Sequence, residues 1–506
     1  MSKNTTIAKN TMFLYIRMLF LMIVNIYTSR VVLEALGVDD YGVYNTVAGF
    51  IAMFSIVSSS ISGAISRYIT FELGKGDGKR LSEVFSTSLI IQIILAVVIV
   101  ILVEAFGIWF LNHKMTIPEG RLVAANWVLQ LAMVTFIINL WSVPYNAVII
   151  AHEQMNAFAF IGIFEGCANL GIAFLLSLSP FDRLVSYAIL MSLVAVIVRS
   201  IYSIYCTRHF RECKFHFYFD KSLFKEMFSF SGWNFIGATS GLLRSQGINL
   251  LFNIYFGPVV NAAYGLASQV QNAVCQFSNN FYTAVKPQIT KSYACKQTDE
   301  SNALVIRSGR LAFILLMFLV IPIVSEADLL INIWLKEVPE HTVSFVRIIL
   351  LFSMLESFSY PMITLMLATG DIKKYQIVVG SVCLLNFPAA WLVLILGGNS
   401  ELSLVTIIVF SVVALVFRLK MLSKMTDFPV TDFLKNSLLR CLLMLLICIV
   451  PSSIIVSLMP QSLLRFAINL VASEFTIAVV AFTIGLTANE KTFLIDKVKS
   501  VFGRIN

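Results

Sequence analysis

Charge is what this sequence has least of. Only 13% of its 506 residues are charged, against roughly 25% in soluble domains, and 58% are hydrophobic. That balance excludes an ordinary water-soluble fold. Histidine is also scarce, and the five present, His113, His152, His209, His216 and His341, show neither HxxxH nor Ser-His-Asp spacing. The eight cysteines form no CxxC pair, so neither a metal site nor a disulfide framework is implied. Gly74-Lys-Gly-Asp-Gly78 is not followed by the Gly-Lys-Ser/Thr of a phosphate loop. Enzymatic chemistry and ATP hydrolysis are therefore not expected, no cofactor is implied, and any driving force has to come from a gradient or from the substrate.

Apolar segments fill the space these absences leave. Stretches of about 20 residues, enough to cross a ~30 Å hydrocarbon core as helices, recur throughout. The expected class is an all-α polytopic membrane protein of about 14 transmembrane helices, near 12–33, 42–66, 84–111, 122–150, 157–179, 184–206, 228–255, 261–285, 311–333, 343–367, 376–397, 402–417, 437–458 and 466–487. Most of the 37 lysines and arginines fall on one side of this arrangement. The positive-inside rule makes that side cytoplasmic and puts both termini there. The formal charge of +9 is thus a topology signal, and nucleic acid is not an expected partner.

The chain repeats itself. Residues 37–77 are echoed by 257–297: Gly37 matches Gly257, Tyr44 Tyr264, Ser58 Ser278, Ala64 Ala284 and Ile69-Thr70 Ile289-Thr290. Further echoes follow at Trp109 and Trp334, Pro144 and Pro361, Asn169 and Asn386, and Arg199 and Arg418. The expected organisation is a six-helix bundle over 1–211, a connector at 212–225, a second bundle over 226–425 and two extra helices within 426–506. Parallel repeats of this kind are a transporter layout. The connector, with Lys214-Phe-His-Phe-Tyr-Phe219, reads as interfacial, its rings in lipid headgroups and its cations on anionic lipid.

Polar groups inside a bilayer have to face protein or water, so their placement marks helix faces. Asn261, Gly265, Ser268, Asn272, Gln276 and Asn279 share one face of span eight, and Asn234, Gly237, Gly241, Arg244, Ser245 and Asn249 one face of span seven. Span one adds Arg17, Asn25 and Thr28, and span two a face of Gly, Ala and Ser. Small residues at this spacing equally allow close helix packing. Arg244, in the middle of its span, needs water, a carboxylate or an anionic ligand, and Arg17 is also far from an easy exit. Arg30 and Arg199 lie nearer span ends and read as structural. Arg67 and Lys286 sit at nearly the same place in the two halves, either as topology charges or as a cationic mouth. Glu165 and Glu356 read first as counter-ions of intramembrane arginines and second as a proton or sodium site.

Three stretches resemble a known family: Leu36-Gly37-Val38-Asp39-Asp40-Tyr41-Gly42, Ser58 to Arg67, and Val285-Lys286-Pro287. The chain is similar to Wzx-type polysaccharide flippases of the multidrug/oligosaccharidyl-lipid/polysaccharide exporter superfamily. The resemblance implies a MATE-like fold and transfer of an undecaprenyl-diphosphate-linked oligosaccharide, such as an O-antigen or capsule unit, across the bacterial inner membrane. It implies a cavity bounded by spans one, two, seven and eight, which would put Arg17, Asn25, Arg67, Asn234, Arg244, Asn249, Asn272, Gln276 and Lys286 near the cargo. A polymerase and other glycan-assembly proteins are the partners it suggests, besides membrane lipid. The alternative is a cation-coupled multidrug or small-solute antiporter of the MATE type, whose cavity should favour acid over arginine. A major-facilitator carrier is disfavoured because Phe71 to Leu81 lacks an Asp-Arg-x-Gly-Arg loop.

Overall fold

A computed structural model describes residues 3–492 except 53, 114–116, 118–119, 177–180, 215–217, 219, 257, 336–337 and 489. The described residues are almost entirely helical. The main helices are α1 (Lys3–Ala52), α2 (Ser55–Lys75), α3 (Gly78–Leu102), α4 (Leu122–Ala151), α5 (Met155–Leu176), α6 (Arg183–His209), α7 (Lys221–Phe256), α8 (Pro258–Ala294), α9 (Thr298–Ser325), α10 (Thr342–Glu356), α11 (Ser359–Thr369), α12 (Lys373–Ile395), α13 (Ser400–Thr426), α14 (Arg440–Leu458) and α15 (Leu463–Val480). All-helical construction follows from the solvent, because a spanning helix satisfies its own backbone hydrogen bonds.

Among the described residues, ten helices are long and apolar enough to span a membrane, or eleven if the bent pair α10 and α11 counts as one span. The protein is a multi-pass membrane protein, and the expected count of about 14 exceeds that number. Spans two, seven and eight are the ones missing from it. They correspond to the end of α1 with α2, which meet at residue 53 outside the described residues, and to α7 and α8, whose polar stripes and charges lower their hydropathy. Expected spans one and two also run together: α1 is continuous to Ala52 and kinks at Gly37, whose φ of 78° and ψ of 169° are non-helical. A positive φ is easily reached only by glycine. Gly257, its repeat partner, lies outside the described residues.

The chain forms two compact units, Met1–Thr239 with Thr283–Lys296, and Ser240–Tyr282 with Gln297–Asn506. In the first, α4 packs on α6, and α1 on α5, around a core that includes Val128, Leu129, Ala173 and Leu184. Gly76, the left-handed cap of α2, and Asp77, which accepts the Arg80 amide at 3.0 Å as N-cap of α3, turn the chain between these helices. Capping geometry thus accounts for the glycine-rich loop. At the same end, burial pushes the Glu212 carboxyl up, but the hydrogen bond and charge of His152 together with a backbone hydrogen bond outweigh this and hold it below the ordinary value.

In the second unit, α12 packs on α13, and α14 and α15 pack on α9. The last two helices are fastened at both ends of α9. At one, Arg465 grips Glu326 at 2.7 and 3.0 Å, and Asn469 donates to the same carboxylate at 3.2 Å. At the other, Arg307 and Arg310 both reach Glu490 at 2.8 Å. Buried pairs with this much hydrogen bonding cost several kcal/mol to break, so the added helices are built into the second unit.

The repeat is visible in three dimensions. The pattern of buried and half-buried positions from Ile61 to Thr70 recurs residue for residue from Phe281 to Thr290. Thr70 donates to the Ser66 carbonyl at 2.7 Å and Thr290 to the Lys286 carbonyl at 3.1 Å. Lys286 is therefore the counterpart of Ser66, one position away from Arg67.

Candidate functional site

Two clusters of charge lie within the helices, one in each unit. In the second, the Glu356 carboxylate at the end of α10 is 3.7 Å from Arg244 of α7 and 3.9 Å from Arg418 of α13. Ser411 donates to Glu356, and Arg418 donates to Ser359 at 2.7 Å. The Arg244 guanidinium also lies over the Phe352 ring, 5.0 Å from its centroid. One carboxylate thus serves two guanidiniums. Glu356 and Arg418 are buried, at 7% and 4% exposure, whereas the Arg244 side chain keeps 16%.

In the first unit, Arg199 of α6 takes Glu165 of α5 at 2.9 Å and the Asn139 side-chain oxygen of α4 at 2.8 Å. Arg17 of α1 is different. Among the described residues it makes no hydrogen bond or ion pair; its Nε is buried without a partner, and its guanidinium lies 4.4 Å from the centroid of Phe158. A glycine makes this possible, since a Cβ on Gly162 would stand 2.2 Å from that Nε. Replacing Gly162 by alanine should expel the guanidinium, destabilise the protein by about 1–3 kcal/mol, and be read as a lowered melting temperature in detergent.

The two clusters share a plan. Asn139 and Glu356 stand the same distance before Pro144 and Pro361, and each bonds or pairs with the repeat-matched arginine, Arg199 or Arg418. The carboxylate has changed helices: α5 supplies it in the first unit, through Glu165, and α10 in the second, through Glu356. The second cluster holds two arginines and one carboxylate, and in the first unit Arg17 stands in addition to the Arg199–Glu165 pair.

The remaining sequence candidates separate into two groups. Asn272 and Gln276 lie on the exposed face of α8 together with Gly265 and Asn279, while Val274 and Ser278 are buried on the other side. An exposed amide stripe on a membrane helix calls for water or a polar ligand. Asn25 is exposed and Asn249 half-buried. Among the described residues the half-buried Lys286 side chain makes no hydrogen bond or ion pair. Other candidates pack within the protein. Arg67 is 7% exposed, within 4.5–5.3 Å of the ring centroids of Tyr68, Phe71 and Phe230, and does not line an open mouth. Asn234 donates to the Ser60 carbonyl at 2.9 Å and fills the space above Gly63. The side chains of Arg30, Ser245 and Asn261 lie outside the described residues.

Residues 5–293 match the model of a family described as polysaccharide biosynthesis protein. The chain belongs to the polysaccharide biosynthesis protein family. No curated protein sequence matches it. Solved structures with the same fold as this polysaccharide biosynthesis protein are transporters. One described as MATE in the bent conformation aligns with a TM-score of 0.72 and 13% identity over 84% of this chain and 97% of that one. A MOP superfamily transporter from Pyrococcus furiosus, described as having a binding pocket of reverse polarity that suggests a different function, aligns at 0.71 with 14% identity over 86% and 97%. An outward-facing multidrug resistance MATE transporter of the same superfamily aligns at 0.70 with 12% identity over 84% and 97%. The fold class expected from the sequence, all-α and MATE-like, is the one observed.

Proposed function

We propose that this protein is a flippase that carries an undecaprenyl-diphosphate-linked oligosaccharide from the inner to the outer leaflet of the bacterial inner membrane by alternating access. Its basic loops and both termini face the cytoplasm in this reading. One observation carries it: within the membrane helices the second unit sets two arginines, Arg244 and Arg418, against the one carboxylate of Glu356, and the first holds Arg17 in addition to the Arg199–Glu165 pair. A surplus positive charge within a unit suits the phosphates of such a cargo, which are well met by guanidinium forks. The amides of Asn272 and Gln276, with Asn25 and Asn249, suit sugar hydroxyls, and the isoprenoid tail can remain in lipid.

Glu165 and Glu356 act here as counter-ions that keep the arginines charged and aimed. A proton or sodium gradient supplies the driving force, and a glycan polymerase takes up the product. An exporter of cationic drugs calls for the opposite sign of surplus charge. The test is genetic: the wild-type chain, expressed in a strain lacking its own flippase, should restore surface glycan. Membrane-inserted protein that restores drug efflux but no glycan would contradict the proposal.

A further inference from the structure

Each unit ties together the starts of two of its helices, at the end opposite the basic loops. In the first, Arg121, the residue before α4, holds Asp182, the N-cap of α6, and also reaches Asp40 at 2.6 Å. Burial pushes the Asp182 carboxyl up, but the Val185 amide and Arg121 outweigh it, so the carboxyl stays below its ordinary value. In the second unit, His341, the residue before α10, holds Glu401 in the first turn of α13 at 2.5 Å. The partners are 61 and 60 residues apart in the chain. Both acids sit at a helix N-terminus, where a negative charge is favoured.

The chemistry of the cation is what differs. Arginine stays charged at every physiological pH, whereas imidazole gains or loses its proton between pH 5 and 8. We infer that His341 and Glu401 form a proton-operated latch between α10 and α13, the titratable counterpart of the permanent Arg121–Asp182 tie. The groups around the imidazole come from both helices. Glu401 faces it from α13, the exposed Glu340 carboxylate lies 3.9 Å away, and the Phe345 ring stacks beside it at 5.9 Å. Arg347, in the next part of α10, is occupied by Asp328 at 2.7 Å. Ser400 donates to the second Glu401 oxygen at 3.0 Å and keeps that carboxylate turned toward the latch. Acid on that side closes the latch, and neutral or alkaline medium loosens it.

Amide hydrogen exchange of the full chain in nanodiscs, at about pH 5.5 and 8 with intrinsic rates corrected, reads both ties at once. Protection in the first turns of α10 and α13 should fall roughly fivefold between the two pH values, while the first turns of α4 and α6 serve as the internal control and hold steady. His341→Arg should abolish the change and keep protection high, and His341→Gln should abolish it and keep protection low. A wild-type protein with equal protection at both pH values, or a His341→Arg protein that retains the fall, would overturn the inference.

Discussion

Replacing Glu356 by alanine should destabilise the protein by about 3–5 kcal/mol, because it strips from two arginines inside the membrane the carboxylate that, among the described residues, pairs with both. Arg418 is the more exposed to this loss in energetic terms. It is 4% accessible and would keep the 2.7 Å bond to Ser359 and the Tyr375 hydroxyl, neither of which carries a compensating charge. The measurement is thermal unfolding of purified protein in detergent, with membrane yield alongside. Glu356→Gln separates charge from hydrogen bonding, since its amide oxygen still accepts from Ser411. It should fall between wild type and alanine. An alanine variant as stable as wild type would mean that the arginines are neutralised by something other than Glu356.

The Arg244→Ala variant should behave in the opposite way, with stability preserved and transport lost. Removing Arg244 leaves Glu356 with Arg418 and Ser411, so no charge is stranded. What disappears is the more accessible of the two guanidiniums and, with it, a charge-assisted contact worth about 1.5–3 kcal/mol. That corresponds to a roughly 10- to 100-fold loss in transport rate at limiting substrate. Arg244→Lys should recover part of it, because an ammonium supplies charge without the bidentate fork. Surface glycan in a strain that depends on the chain, normalised to membrane protein level, gives the comparison. Full display by the alanine variant would remove Arg244 from the substrate path.

The contrast between these variants shows where sequence reading succeeds and where it stops. Helical periodicity identifies a face, so the amide stripe of α8 was legible, and Asn272 and Gln276 do lie on its open side. Repetition identifies equivalence, so Arg199 and Arg418 were matched before their surroundings were known. Neither signal names the neighbour across the helix interface. Arg244 was read as needing a carboxylate, water or a ligand, and the structure supplies Glu356. Asn234 has the same periodicity as Asn249 but is spent on a carbonyl of α2. Arg67, which the sequence leaves open between a topology charge and a cationic mouth residue, is enclosed by rings from α2 and α7. Asn139 passed unnoticed although its place before Pro144 mirrors that of Glu356 before Pro361. That mirror was the available clue to the shared plan. Gly162 gave no clue, since a glycine that makes room for an arginine on another helix is indistinguishable in sequence from one that permits close packing.

The most direct test is reconstitution. Purified protein in liposomes should move a fluorescent isoprenyl-diphosphate oligosaccharide from one leaflet to the other, scored by access of an added quencher or glycosidase. Wild type should transfer the diphosphate-linked lipid, Arg17→Ala and Arg244→Ala should each slow transfer about tenfold or more, and a lipid with an uncharged linkage should not be carried. Equal transfer of charged and uncharged lipids, or undiminished transfer by both alanine variants, would contradict a role for these arginines in carrying an anion.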